Sequence, residues 1–254
     1  MAITIKSERE IELMAEAGKI LERVHNELEK ALHPGMSTKD IDTLGEEIIR
    51  SYGCIPSFLN YNGYPASICV SVNQEVVHGI PDKHRIIHEG DIVSLDAGVI
   101  YKGYHSDAAR THAVGEVSEE AKKLIQVTKE CFFEGIKYAK AGNHLFDISG
   151  AIGRYAEERG YGVVRDLCGH GIGTALHEAP EIPNYEVGRK GVRLRPGMTL
   201  AIEPMINIGT HEVDWLDDDW TVVTRDGSLS AHYENTILIT EGEPRILSLT
   251  CENE

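Results

Sequence analysis

The chain has 254 residues, of which 41 are acidic and 25 basic, for a formal net charge of −16. That balance, with no Lys/Arg stripe, argues against a nucleic-acid backbone or an anionic membrane as partner. No apolar run approaches the ~20 residues of a membrane-spanning helix, and length alone does not separate one large domain from two small ones.

The five cysteines (Cys54, Cys69, Cys131, Cys168 and Cys251) are scattered and form no CxxC pair. A reduced cytosol fits them better than an export route, and a thiolate zinc site is not expected. The start, MAITIKSERE, lacks the apolar core of a signal peptide. The expectation is a mature cytoplasmic protein.

In chain order, Ser7 and Glu10 match a capping box, and Ile11, Met14, Leu21, Val24, Leu28 and Leu32 follow near helical spacing until His33-Pro34-Gly35. A second helix is expected from Thr38 to Ser51, with Ile41, Leu44 and Ile48 inward. A turn-rich stretch holds strand candidates at 67–72 and 76–78. The second half opens with Ser118 capping a helix expected to run to Gly142, and another helix is expected over 145–159. Then come CGHGIG, a strand in TLAIEPMINIG, the acidic loop WLDDDW, and strands over 220–223 and 231–240.

Residues 90–110 read as a β-hairpin that turns at Lys102-Gly103. With that turn, Asp96 faces Ala109 and Gly98 faces Asp107. Side chains alternate along a strand, so the two aspartates become diagonal neighbours on one face. Two carboxylates on the inner face of an apolar hairpin repel and are costly to desolvate, and a bound cation is one way to relieve both problems.

A faint repeat runs through the chain. Gly35 and Gly142, Asp40 and Asp147, Gly90 and Gly197, and Asp96 and Glu203 are each 107 residues apart. The expectation is one domain made of two halves, 1–115 and 116–254, related by a pseudo-twofold axis, with Asp96 and Glu203 near their junction. A cleft between two halves is a common ligand site.

Four acids then qualify for that site: Asp96, Asp107, Glu203 and Glu234. Glu203 and Glu234 lie in apolar strand contexts, and no matching set of embedded Lys or Arg is present. His170 sits between glycines. Several carboxylates with one imidazole suit two cations sharing bridging carboxylates, held ~3.5–4 Å apart. Taken alone, Asp107 would read as a solvated outer face, and His78 or His177 as a structural histidine. Asp217, Asp218 and Asp219 lack the Ca-loop pattern and read as a solvated loop. The remaining histidines, His25, His33, His84, His88, His105, His112, His144 and His211, read as surface or structural.

The stretches NYNGYPASICVSVN, VVHGIP, DIVSLDAGV with SDAART, GHGIG, HEAPEIPNY, GMTLAIEPM and WTVVTRDGSLSAHYENT, in this order and spacing, resemble the type I methionine aminopeptidases in their short form. The resemblance covers most of the chain. It implies an α+β pita-bread fold, with two pseudo-twofold-related halves and a curved, mainly antiparallel sheet covered by helices. It implies metal ligation by Asp96, Asp107, His170, Glu203 and Glu234, with Asp107 and Glu234 bridging two divalent ions such as Co, Mn or Fe. Asp96 would serve one ion, and His170 with Glu203 the other.

It also implies that His78, His177 and Glu203 take part in catalysis and that Tyr61, Tyr64, Cys69 and Trp220 receive the methionine side chain. The implied partner is the N-terminus of a nascent polypeptide, met at the ribosome, and the implied state is a monomer. Leu176 stands where relatives often carry an aromatic, which implies a wider pocket rim. His232 and Asn235 stand where many relatives have Gln and His. The alternatives are a proline-specific peptidase of the same fold, a metal-free creatinase-like amidinohydrolase and a non-enzymatic binding scaffold. The proline-specific enzymes usually carry an extra N-terminal domain, and the other two lack the full ligand set.

Overall fold

The computed structural model describes residues 2–249, and Cys251 lies outside the described residues. Four helices, α1 (Glu8–Ala31), α2 (Thr38–Ser51), α3 (Glu119–Ile136) and α4 (Leu145–Glu157), cover antiparallel strands in an α+β arrangement. The strands that build the site are β1 (Ile68–Val72), β2 (Ile92–Tyr101), β3 (Tyr104–Ala113), β4 (Gly169–Gly171), β5 (Glu178–Ile182), β6 (Thr199–Ile202), β7 (Met205–Asn207), β8 (Ser230–His232) and β9 (Asn235–Leu238). Every strand pair among the described residues is antiparallel.

The first two helices pack on the hairpin sheet. Leu21, Val24, Leu28, Ile41 and Ile49 are buried with Ile68, Val93 and Leu95 of β1 and β2. Burying each such side chain contributes about 1.5–3 kcal/mol, so this face holds the helices down. In the second half, Leu124 and Phe132 of α3 and Ile148 and Ile152 of α4 pack with Leu200 and Ile202 of β6, Ile206 of β7 and Ile237 of β9.

The hairpin has the expected register, Asp96 opposite Ala109 and Gly98 opposite Asp107. Its turn residues Lys102 and Gly103 both have positive φ, 48° and 87°, as a two-residue type I′ turn requires.

The same local bonds recur 107 residues apart. Gly35 N–H donates to Ile87 O at 2.8 Å, and Gly142 N–H to Leu194 O at 3.0 Å. Ile87 N–H donates to Met36 O, and Leu194 N–H to Asn143 O, each at 2.8 Å. The caps match as well: Ser37 N–H donates to Asp40 Oδ2 and His144 N–H to Asp147 Oδ2, each at 2.8 Å. His144, set aside in the sequence, thus occupies the N-cap of α4.

Three element boundaries differ from expectation. Helix α3 stops at Ile136, not Gly142. Two tight turns, Tyr138 N–H to Gly135 O and Ala139 N–H to Ile136 O, swing Ala139 into the core. The strand expected over 220–223 is Val222–Thr224, because the Trp220 and Thr221 N–H groups are taken by the Asp218 carboxylate at 2.9 and 2.7 Å. Finally, the strand expected over 231–240 is two strands, β8 and β9, parted at Tyr233-Glu234. The opposing strand is likewise parted at Glu203-Pro204 into β6 and β7, where proline has no N–H to give.

Candidate metal and catalytic site

These two strand breaks lie side by side. Asn235 pairs with Ile202 on one side of them and His232 with Met205 on the other. The same register carried across sets Glu234 opposite Glu203, and Tyr233 N–H bonds Pro204 O at 3.2 Å.

Strand β3 of the first half docks onto this seam. Ala109 and Glu234 exchange backbone bonds at 3.3 and 3.0 Å. Two threonine hydroxyls extend the pairing to either side. Thr236 Oγ1 accepts from Asp107 N–H and donates to Asp107 O, both at 2.9 Å. Thr111 Oγ1 does the same for the N–H and C=O of His232, again at 2.9 Å. Ala109 also faces Asp96 across the hairpin, so Asp96, Ala109, Glu234 and Glu203 succeed one another across the strands.

His170 reaches the same spot from β4. Its Nε2 is 3.9 Å from Asp107 Oδ2 and 3.6 Å from Glu203 Oε1, and its Nδ1–H donates to Gly171 O at 2.9 Å. The flanking glycines are a matter of space: a Cβ at Gly171 would lie 2.1 Å from Ala179 O, and one at Gly169 2.4 Å from Ala201 O.

The electrostatics of the cluster are adverse. Asp107 and Glu234 are 3 % and 2 % exposed, and Asp96 is 9 % exposed. Asp96 Oδ1, Asp107 Oδ1 and Glu234 Oε1 have no hydrogen-bond partner. Burial, then mutual repulsion, pushes Asp107, Glu203 and Glu234 well above the usual carboxylate range, and burial raises Asp96 to about 7. Burial holds His170 neutral by lowering it to about 3. Bare carboxylates with orphaned oxygens beside neutral imidazole fit a divalent cation. Two triads satisfy that geometry, with ligating atoms within 4.8 Å of one another: Asp107–His170–Glu234 and Asp96–His232–Glu234.

A cavity of about 150 Å³ opens from the carboxylates. Tyr61, Tyr64, Cys69, His78, His177 and Trp220, all singled out in the sequence, line it, and so do Asp96, Asp107, His170, Glu203 and Glu234. Tyr64 and Trp220 meet edge to face at 5.1 Å, and Tyr64 O–H donates to Gly79 O at 2.9 Å. His177 Nδ1 lies 2.7 Å from Tyr61 Oη, and the His177 and His170 rings meet edge to face at 4.1 Å. His78 holds a left-handed backbone, φ 59°, a strained state for a non-glycine residue that tends to mark functional sites.

Leu176 is buried in the wall. Asn235 accepts from Arg110 Nη2 at 2.6 Å and from Ser248 Oγ at 3.0 Å behind Glu234. Phe58 and Asn62 also line the cavity and were not singled out. Their only sequence signal is their place in the SFLNYNGYP stretch around Tyr61 and Tyr64.

Residues 12–241 match the model of metallopeptidase family M24. The chain belongs to metallopeptidase family M24. It is therefore a hydrolase of a divalent-metal-binding family. Among M24-like relatives, a methionine aminopeptidase of Clostridium acetobutylicum is 58 % identical over 98 % of this chain and 100 % of its own. The crystal structure of methionine aminopeptidase from Thermotoga maritima superposes with a TM-score of 0.96 at 47 % identity, covering 98 % of this chain and 100 % of that one. An Xaa-Pro dipeptidase from Bacillus anthracis superposes with a TM-score of 0.77 at 27 % identity, and only 63 % of its length is covered. The M24 chain thus has the pita-bread fold that both groups share.

Proposed function

We propose that this chain hydrolyses the peptide bond after an N-terminal methionine, removing the initiator residue from nascent polypeptides whose second residue is small. The observation that carries this reading is the cavity, whose aromatic and thiol wall of Tyr64, Cys69 and Trp220 opens directly onto the carboxylate cluster. Such a wall suits an unbranched thioether, since sulfur–aromatic contacts are favourable by about 0.3–1.5 kcal/mol. The full-length match to methionine aminopeptidases, against partial coverage of the Xaa-Pro dipeptidase, supports it over the proline-specific alternative.

Asp96, Asp107, His170, Glu203 and Glu234 would hold two divalent ions, with Co, Mn and Fe as candidates. The chemistry that such ions supply when bound is Lewis acidity, which brings the pKa of a water near neutrality and polarises a carbonyl. The chain's residues do the rest. The Glu203 carboxylate takes the proton from the attacking water and returns it to the leaving amine nitrogen. His177, 2.7 Å from Tyr61 Oη through Nδ1, offers its Nε2–H to the oxygen of the tetrahedral intermediate. His78 faces the scissile amide nitrogen.

We further infer a single catalytic domain of two related halves, 1–115 and 116–254, a reading that the bonds repeated 107 residues apart support. A cytoplasmic monomer acting near the ribosome completes the proposal. The described cysteines are all free, and no described helix is long and apolar enough to cross a membrane.

The test is a tripeptide panel with metal-loaded enzyme. Met-Ala-Ser should be cleaved at least tenfold faster than Met-Leu-Ser or Ala-Pro-Ala. Preferential cleavage before proline, whatever the first residue, would replace this reading with the proline-specific one.

A further inference from the structure

We propose that His232 is a sixth metal ligand, so that each of the two ions receives one imidazole. The inference rests on the two-ion reading above and extends it to a residue that the resemblance did not include.

His232 is 2 % exposed, and neither of its ring nitrogens has a hydrogen-bond partner. A buried imidazole without partners forfeits the full desolvation cost of its polar atoms, so an unsatisfied ring calls for an explanation. Its Nε2 is 3.7 Å from Glu234 Oε2 and 4.0 Å from Glu203 Oε2. Both separations are too long for hydrogen bonds. They match the spacing of donors that share an ion, because two donors each ~2.1 Å from one cation stand about 3–4 Å apart.

His170 provides the internal comparison. Its Nε2 stands 3.6 Å from Glu203 Oε1 and 3.9 Å from Asp107 Oδ2, nearly the same spacing. The two oxygens of Glu203 therefore address one imidazole each. The ligating atoms of Asp96, His232 and Glu234 lie within 4.8 Å of one another, as do those of Asp107, His170 and Glu234. The triads share Glu234 and differ in their second carboxylate.

The position of His232 is fixed from behind. Its backbone N–H and C=O both bond Thr111 Oγ1 at 2.9 Å, and Ser94 Oγ lies 2.8 Å from that hydroxyl. Asp96 stands on the same strand as Ser94, so one hairpin positions both the carboxylate and the imidazole of this triad. A glutamine at 232 would offer only a neutral amide. An imidazole shifts the Asp96 position from an all-oxygen set toward borderline metals such as Fe(II), Co(II) and Zn(II), and away from Mg(II).

The experiment uses the full chain loaded with two equivalents of Co(II) or Mn(II). In wild-type protein, proton NMR of the Co(II) form should show hyperfine-shifted resonances from two imidazole rings, a count that needs no variant. In His232→Gln one ring's signals and the matching Mn(II) nitrogen modulation should vanish. One ion should then bind at least about tenfold more weakly, the scale of loss that even outer partners of ligands produce. His170→Gln should lose the other ring and keep that of His232. One imidazole in the wild type, or unchanged nitrogen modulation and affinity in His232→Gln, overturns the proposal while leaving the two-ion site intact. Failure of the wild type to bind divalent ions at all overturns both.

Discussion

Ala109 and Glu234 exchange both of their backbone hydrogen bonds, at 3.3 and 3.0 Å, although one belongs to the first hairpin and the other to the last strands. This bridge turns two separate acidic pairs into one cluster. Asp96 and Asp107 lie on the hairpin, Glu203 and Glu234 at the paired strand breaks, and the bridge fixes the distance between the pairs.

Glu203→Ala should lower kcat by about 10²–10⁴, the usual contribution of a positioned acid–base group. In metal-free protein the thermal midpoint should not fall, because the side chain removed is a buried carboxylate repelled by Asp96. Steady-state kinetics beside a melting curve check this, and a near-native kcat would remove Glu203 from the mechanism.

Stripping the metal should destabilise the protein more at pH 8 than at pH 5. In the metal-free fold Asp107, Glu203 and Glu234 are raised well above the carboxylate range and Asp96 to about 7. The unfolded chain releases these protons near pH 4. The folded state then binds more protons than the unfolded one, and its stability falls as pH rises through that window. Divalent ions hold the carboxylates ionised and cancel the effect. Melting with and without an exhaustive chelator gives the gap at each pH, and a gap that stays constant or narrows toward pH 8 contradicts the assignment.

His105 should contribute an acid-side loss of stability. Burial lowers it to about 4, and its Nδ1 is 3.0 Å from Ser57 Oγ. A depressed histidine contributes stability that is fully present above its unfolded pKa, ~6.5, and is lost as pH falls toward 4. In metal-loaded protein, His105→Gln should therefore flatten the dependence of the unfolding free energy between pH 6.5 and 4. An unchanged slope would show that His105 does not titrate in that range.

Asp218→Ala should raise KM for methionyl peptides several-fold with a smaller effect on kcat. The Asp218 carboxylate accepts from Trp220 N–H, Thr221 N–H and Thr221 O–H at 2.9, 2.7 and 2.6 Å. Bonds to a charged carboxylate contribute about 1.5–3 kcal/mol each, less where solvent reaches them, and together they set the turn that presents Trp220 to the cavity. An equal loss in kcat with unchanged KM would place the defect at the chemistry instead. The acidic loop, read as merely solvated, is exposed but has this positioning task.

What could be read from the sequence was what neighbouring residues determine. The Lys102-Gly103 turn set the hairpin register and with it the placing of Asp96 and Asp107 as diagonal neighbours. The capping box at Ser7 and the helix expected from Thr38 both start where the sequence placed them. The misjudged parts depend on distant partners. Nothing near residue 234 announces a break, because the bonds that make it go to Ala109 and Pro204. The early stop of α3 reflects where Ala139 finds its core. His232 stood out in the sequence only as a departure from the relatives and not as a ligand, because one histidine beside a strand acid is ordinary; the lack of partners at both ring nitrogens is what marks it.

The carboxylate cluster draws on four separated stretches, and its last member arrives with Glu234. The first hairpin supplies only Asp96 and Asp107, the paired strand breaks only Glu203 and Glu234, and the Ala109–Glu234 bridge joins the two pairs. A copy of this protein still being synthesised therefore stays catalytically silent until Glu234 has been added and has reached Ala109. Uptake of metal then reports that the chain has closed on itself, and the enzyme cannot trim another chain before finishing its own.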